Sequence, residues 1–282
     1  METVSETKQF GGTQGVYRHA SEATDCDMTF AVFLPPQAAV GSESGRVPVL
    51  WYLSGLTCTH QNVVDKGQYQ QAAARFGVAV VCPDTSPRGD GVADQDDWQR
   101  GQGASFYLDA TESPWAANYR MATYVGEELP ALVAANFPVD MDRQGITGHS
   151  MGGHGALTQA LRNPDRFLSV SAFAPIVAPT RAEWARGALA DYLGDREKAW
   201  SEWDACELVR EGARIPSVLI DQGAADPFLT DGLMPHLFAE ACAEAGIECA
   251  LRMHPGYDHS YGFVSTFMDD HLAWHAARLC TS

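Results

Sequence analysis

Gly148-His149-Ser150-Met151-Gly152 decides how this chain is read. The G-x-S-x-G spacing is that of a nucleophile elbow, a strained strand-to-helix turn that lifts a serine hydroxyl above a sheet. Glycines two positions to either side leave room for a sharp bend and for close packing of the elements it joins. Such a pentapeptide is common by chance, so the flanks carry the weight. Gln144-Gly145-Ile146-Thr147 is a short apolar approach suited to the end of a strand. Residues 151–161 then read as a helix, stopped by Asn163-Pro164. Strand, elbow and helix follow in the order the motif requires.

Outward from the elbow, strand-like and helix-like segments alternate, which predicts a mostly parallel central sheet with helices on both faces. Strands are expected over residues 28–34, 47–53, 78–82, 167–174, 217–220 and 248–253. Helices are expected over 68–76, 118–136, 233–245 and 260–279, with Pro130 disturbing the second and Gly77 and Gly246 closing the first and third. Residues 84–114 are rich in Gly, Asp and Ser without periodicity and read as an ordered active-site loop or a lid. Neither repeats nor low-complexity linkers interrupt residues 1–282, so a single domain is expected.

An elbow of this kind requires an acid and then a histidine, each in a loop after a later strand. Asp221-Gln222-Gly223-Ala224-Ala225-Asp226-Pro227 follows the strand ending near Ile220. Asp226, stiffened by Pro227, is placed to reach an imidazole, whereas Asp221 lies too close to the strand and reads as structural. After the last strand, Pro255-Gly256-Tyr257-Asp258-His259-Ser260 offers His259 as the base, with His254 as the minor alternative and Asp258 as a turn or cap residue. Ser150, Asp226 and His259 therefore stand in the α/β-hydrolase order. His259 takes the proton of Ser150 during attack on an acyl carbon, and Asp226 holds the tautomer and stabilises the imidazolium. The oxyanion needs preorganised N–H donors, each worth roughly 3–4 kcal/mol. The backbone N–H of Met151 is one candidate, and that of Leu56, in Ser54-Gly55-Leu56-Thr57-Cys58 after an early strand, is the other.

Composition narrows the class. With 19 basic against 36 acidic residues the net charge is −17, and no Lys/Arg run offers a basic face, so a nucleic-acid partner is not expected. No stretch of about 18 apolar residues is present, so no membrane span is expected. Met1 to Lys8 is polar, without the basic and apolar regions of a signal peptide. The seven cysteines are scattered and odd in number, which fits reduced thiols and a cytoplasmic protein.

Several stretches together resemble the S-formylglutathione hydrolase family of the esterase D group. They are Leu53-Ser54-Gly55-Leu56-Thr57-Cys58-Thr59, Pro83-Asp84-Thr85-Ser86-Pro87-Arg88-Gly89, Phe106-Tyr107-Leu108-Asp109-Ala110-Thr111 before Pro114-Trp115, and Gly148 to Ala156. Ser169-Val170-Ser171-Ala172-Phe173-Ala174-Pro175-Ile176 and Gly256-Tyr257-Asp258-His259-Ser260-Tyr261 complete the set, which spans nearly the whole chain. The resemblance implies a cytosolic, cofactor-free, metal-free serine thioesterase that cleaves S-formylglutathione to glutathione and formate in formaldehyde detoxification, and a homodimer. The chain departs from the family pattern at His60, where an acidic residue is usual, at Gly262, and at Val177-Ala178-Pro179-Thr180.

A thioester suits this machinery, because a thiolate, with a thiol pKa of about 8.5, leaves more readily than an alkoxide. Discrimination for a formyl group should come from steric exclusion, for which Trp184 and the loop around Trp98 are candidates. Cys58 keeps two readings, an oxidation-sensitive thiol beside the site and a small residue filling space. His149 and His154 read as packing residues. His271 and His275, at i, i+4 without the glutamate of His-Glu-x-x-His, read as a surface or dimer face. The expectation is a serine hydrolase of a small-acyl thioester. Enzymatic alternatives are a short-chain carboxylesterase or a mycolyltransferase-type acyltransferase, and the non-enzymatic one is a silent binding protein of the same fold.

Overall fold

The segments that are apolar at every position become strands covered on both faces. In a computed structural model, which describes residues 1–38 and 45–280, nine strands form one sheet. They are β1 (Glu2–Gln9), β2 (Gly12–Ser21), β3 (Cys26–Leu34), β4 (Val47–Leu53), β5 (Ala79–Pro83), β6 (Val139–Gly148), β7 (Phe167–Phe173), β8 (Ser217–Gly223) and β9 (Glu248–His254). Their spatial order is β1-β2-β3-β5-β4-β6-β7-β8-β9. The pairings from β5 through β9 are parallel, and β1, β2 and β3 add an antiparallel edge. Every residue of β4, β5 and β8 is buried, as a central parallel strand requires. Pro48 is tolerated in β4 because the pairing with β6 shifts register between Pro48 and Val49.

Helices are α1 (His60–Lys66), α2 (Gln70–Phe76), α3 (Met121–Thr123), α4 (Leu129–Asn136), α5 (Met151–Arg162), α6 (Glu183–Leu193), α7 (Glu197–Ser201), α8 (Ala205–Arg210), α9 (Pro235–Ala245) and α10 (Tyr261–Leu279). On one face α10 lies over β6, β7 and β8 and against α1 and α2. On the other, α5 covers β4, β6 and β7 and is backed by α8, which packs on α9. Gly77 and Gly246, at φ of 71° and 72°, end α2 and α9 in the left-handed conformation open to glycine.

Two expectations change, and one unassigned segment takes on structure. The helix expected over residues 118–136 starts at Met121 and is interrupted by a π-type turn over Tyr124–Glu128, which places Pro130 in the first turn of α4, where its missing N–H costs least. The start of the chain, to which no element is assigned from the sequence, forms β1 and β2. Nearly every residue of β1 is exposed, so no apolar alternation announces it. His271 and His275 are on neither a surface nor an exposed dimer face, since both are fully buried on the side of α10 that packs against β7.

Candidate active site

The elbow takes the strained form its sequence demands. Ser150 sits at φ 59° and ψ −118°, a region few non-glycine residues enter. Its N–H donates to the Phe173 carbonyl at 2.9 Å, and the His149 N–H to Leu53 at 3.0 Å, fixing the turn between β4 and β7. The glycines are needed for close approach. A Cβ at Gly152 would lie 1.9 Å from the Leu53 carbonyl oxygen, and one at Gly148 would lie 2.2 Å from that of Gly152.

All three proposed triad residues meet at the C-terminal ends of the parallel strands. His259 Nε2 lies 2.9 Å from Ser150 Oγ, and its Nδ1 lies 2.6 Å from Asp226 Oδ2. Asp226 is held on both oxygens: Phe228 N donates to Oδ1 at 2.8 Å, and the buried Gln222 donates to Oδ2 at 3.1 Å. Gln222 was not foreseen, since nothing in a strand's apolar pattern marks the one amide that steadies an acid. Leu56 lines the same cavity as Ser150, and Met151 follows the serine at the start of α5. Among the described residues, neighbouring amides are engaged, Thr57 with Gly103, Cys58 with Gly55 and Gly152 with His149, while no hydrogen bond takes the N–H of Leu56 or Met151. Two free donors beside a nucleophile are what an oxyanion requires.

The serine opens into a cavity of about 320 Å³, walled mainly by apolar atoms. Trp98, Trp184, Phe228, Ile176 and Leu233 line it, with Leu56 and Cys58 on the oxyanion side. The Trp98 and Trp184 rings are 5.4 Å apart, so the loop over 84–114 contributes directly to the cavity wall. Burial raises the Cys58 thiol above its ordinary value, opposite to the shift that activates a cysteine, and favours the space-filling reading.

The remaining candidates sort by position. His149 is buried with its ring 4.6 Å from that of His259; burial first, then the neighbouring imidazole, holds it well below its ordinary pKa. His154 is pushed down to about 4 by burial and packs edge-on to Phe106. Both stay neutral, as packing residues should. Asp258 accepts from Ser260 N and Oγ at 2.9 and 2.6 Å and serves its own turn. Asp221 is fully buried on the far side of β8, bound by Arg252 through two contacts of 2.5 Å, with His254 Nε2 3.1 Å away. His254 therefore serves Asp221 and does not reach Ser150. His271 continues inward, with Nε2 3.3 Å from Asp221 and Nδ1 2.8 Å from Ser171 Oγ. His275 bridges Ser169 and Ser171 at 2.7 and 2.8 Å.

The model of the Esterase family, described as "Putative esterase", matches residues 21–275. The S-formylglutathione hydrolase of Paracoccus denitrificans is 58% identical over 278 residues, covering 99% of this chain and 98% of that protein. The chain belongs to the S-formylglutathione hydrolase family of esterases. The mouse member is 52% identical over 99% of both chains. The solved S-formylglutathione hydrolase from Agrobacterium tumefaciens superposes with a TM-score of 0.96 at 58% identity, covering 99% of this chain and 100% of that one. Membership of this family makes the chain a hydrolase with the α/β-hydrolase fold.

Proposed function

We propose that the protein hydrolyses S-formylglutathione to glutathione and formate through an acyl-enzyme on Ser150. The observation that carries this is His259, which bridges Asp226 at 2.6 Å and Ser150 at 2.9 Å at the mouth of the cavity. Relatives at 58% and 52% identity that bear this enzyme's name support the substrate. Ser150 Oγ attacks the formyl carbon as His259 Nε2 takes its proton, and Asp226 stabilises the imidazolium. The N–H groups of Leu56 and Met151 receive the charge that develops on the carbonyl oxygen. Collapse breaks the C–S bond, and the glutathione sulfur takes the proton from His259 as it leaves, which returns the imidazole to its neutral form. Water, deprotonated by His259, then attacks the formyl ester, and formate departs with Ser150 reprotonated.

Trp98 and Trp184 restrict the acyl side, so a formyl group is accommodated and bulkier acyl groups are disfavoured. All five residues of this machinery rise from one sheet, which supports one domain carrying the whole reaction. The reading extends to a cytoplasmic enzyme working as a homodimer, and sedimentation velocity checks the assembly. The deciding experiment compares kcat/KM for S-formylglutathione, S-acetylglutathione and p-nitrophenyl acetate. The formyl thioester is expected to be the best of the three. An aryl acetate faster by tenfold or more would give the substrate to a general carboxylesterase instead.

A further inference from the structure

We propose that Tyr107, Thr85 and Arg88 are positioning residues for the reaction, acting as a clamp that holds the Leu56 N–H in place. The proposal rests on Leu56 and Met151 as the oxyanion donors. The turn that presents Leu56 is strained: Thr57, the next residue, has φ 63°. A β-branched side chain in the left-handed region is a genuine outlier and persists only where its surroundings enforce it.

The enforcement comes from the loop over residues 84–107. At one end of the turn the buried Tyr107 hydroxyl donates to the Ser54 carbonyl at 2.9 Å. At the other, the Cys58 carbonyl accepts from Thr85 Oγ1 at 2.5 Å and from Arg88 Nη2 at 2.9 Å. Arg88 is in turn aimed by Asp84, whose two oxygens lie 3.0 and 3.1 Å from its Nε. Between these points Thr57 N donates to Gly103 at 2.9 Å, and Gly103 N to Ser86 Oγ at 2.7 Å. Both carbonyls that bracket Leu56 are thus held by side chains from one distant loop. These hydrogen bonds oppose relaxation of the strained turn, which would swing the Leu56 N–H off the oxyanion. Misplacement of a reacting group by about 1 Å costs on the order of 100-fold in rate, so partial release should cost about tenfold.

The test compares p-nitrophenyl acetate with its thionoacetate, whose carbonyl oxygen is replaced by sulfur, a larger and weaker acceptor. Wild-type enzyme is expected to prefer the oxygen ester strongly, because a rigid hole fits oxygen alone. In Tyr107→Phe and Thr85→Val, kcat on the oxygen ester should fall about tenfold with KM kept, and the preference for oxygen should narrow. Thr85→Ser, which keeps the hydroxyl, should restore both. Thermal melting checks that each variant is folded, and Arg88→Met, at a partly exposed position, supplies a third variant if a buried one does not fold. Wild-type kcat and unchanged preference in the folded variants would overturn the clamp. Equal rates on the two esters in the wild-type enzyme would instead overturn the oxyanion-hole reading beneath it.

Discussion

Two Ser-His-Asp sets lie on either side of β8 in this molecule, and the structure gives only one of them the means for chemistry. Ser150, His259 and Asp226 line up at 2.9 and 2.6 Å; Ser171, His271 and Asp221 line up at 2.8 and 3.3 Å. Residue types and the serine–histidine spacing are nearly the same. Surroundings differ in every other respect. Ser150 stands on a strained turn, faces a cavity and has two unengaged N–H groups beside it. Ser171 is in mid-strand, fully buried, and shared among Thr147, His271 and His275. Asp226 has its imidazole as the only ionisable partner among its hydrogen bonds, whereas Asp221 is neutralised by Arg252. A catalytic set therefore needs access, a free lone pair and a place for charge to develop; three side chains in line supply none of these.

Serine replacement separates the two sets most sharply. Ser150→Ala should lower kcat by about 10⁶, the scale seen when a triad nucleophile is removed. Ser171→Ala should keep its turnover but leave imidazole nitrogens of His271 and His275 unpartnered, at about 1–3 kcal/mol of stability. Turnover assays and urea unfolding read both, and a catalytic collapse in Ser171→Ala would break the contrast. The acids come next. Asp226→Asn should cost about 10⁴ in kcat with the fold retained, because the amide favours the wrong tautomer. Asp221→Asn should weaken its contacts with Arg252 and His271, at about 1–3 kcal/mol of stability, because Arg252 is partly exposed and keeps Asp270 at 3.1 Å; turnover per folded molecule should stay normal. Active-site titration of the folded fraction distinguishes these outcomes.

Acid is expected to weaken the buried set in two stages, the mildest of these effects. Burial holds His271 below the ordinary imidazole value against the pull of Asp221, and burial, with the neighbouring His271 and Arg278, holds His275 well below it. The unfolded chain then takes up protons that the folded chain refuses, so their contribution is complete above about pH 6.5 and declines below it. Burial pushes the Asp221 carboxyl up, but hydrogen bonds from His271 and Arg252 outweigh it and leave it well below the usual carboxylate range. Its contribution is present above about pH 4 and is lost as pH falls further. Urea midpoints should drop between pH 7 and pH 5; a constant midpoint over that interval would show that the buried imidazoles are not titrating this way.

The proposed catalytic set was legible because each member is announced by local chemistry: glycines around Ser150, Pro227 after Asp226, and the Pro255-Gly256 turn before His259. Leu56 followed from its place after β4. The buried set was legible only in part. Asp221 was read as structural from its position in the strand, but His271 and His275 were misread because their polarity drew attention away from their register. They continue the buried stripe of Val264, Met268 and Leu279 on α10, a helical repeat that the sequence does display. The same holds for α6, whose buried Ala185, Ala188, Leu189, Tyr192 and Leu193 repeat at helical spacing and went unread. Exposed β1 offered no such signal, and the contacts of Gln222, Thr85 and Tyr107 depend on chain segments brought together only by folding.

Ser150 at φ 59° also has a meaning for how far this protein can be stabilised. Side chains forced into such regions cost about 1–3 kcal/mol, which glycine would not incur. Selection for robustness alone would therefore favour glycine at 150 and yield a hardier, inert protein. The serine marks a point at which marginal stability is the condition of being an enzyme at all.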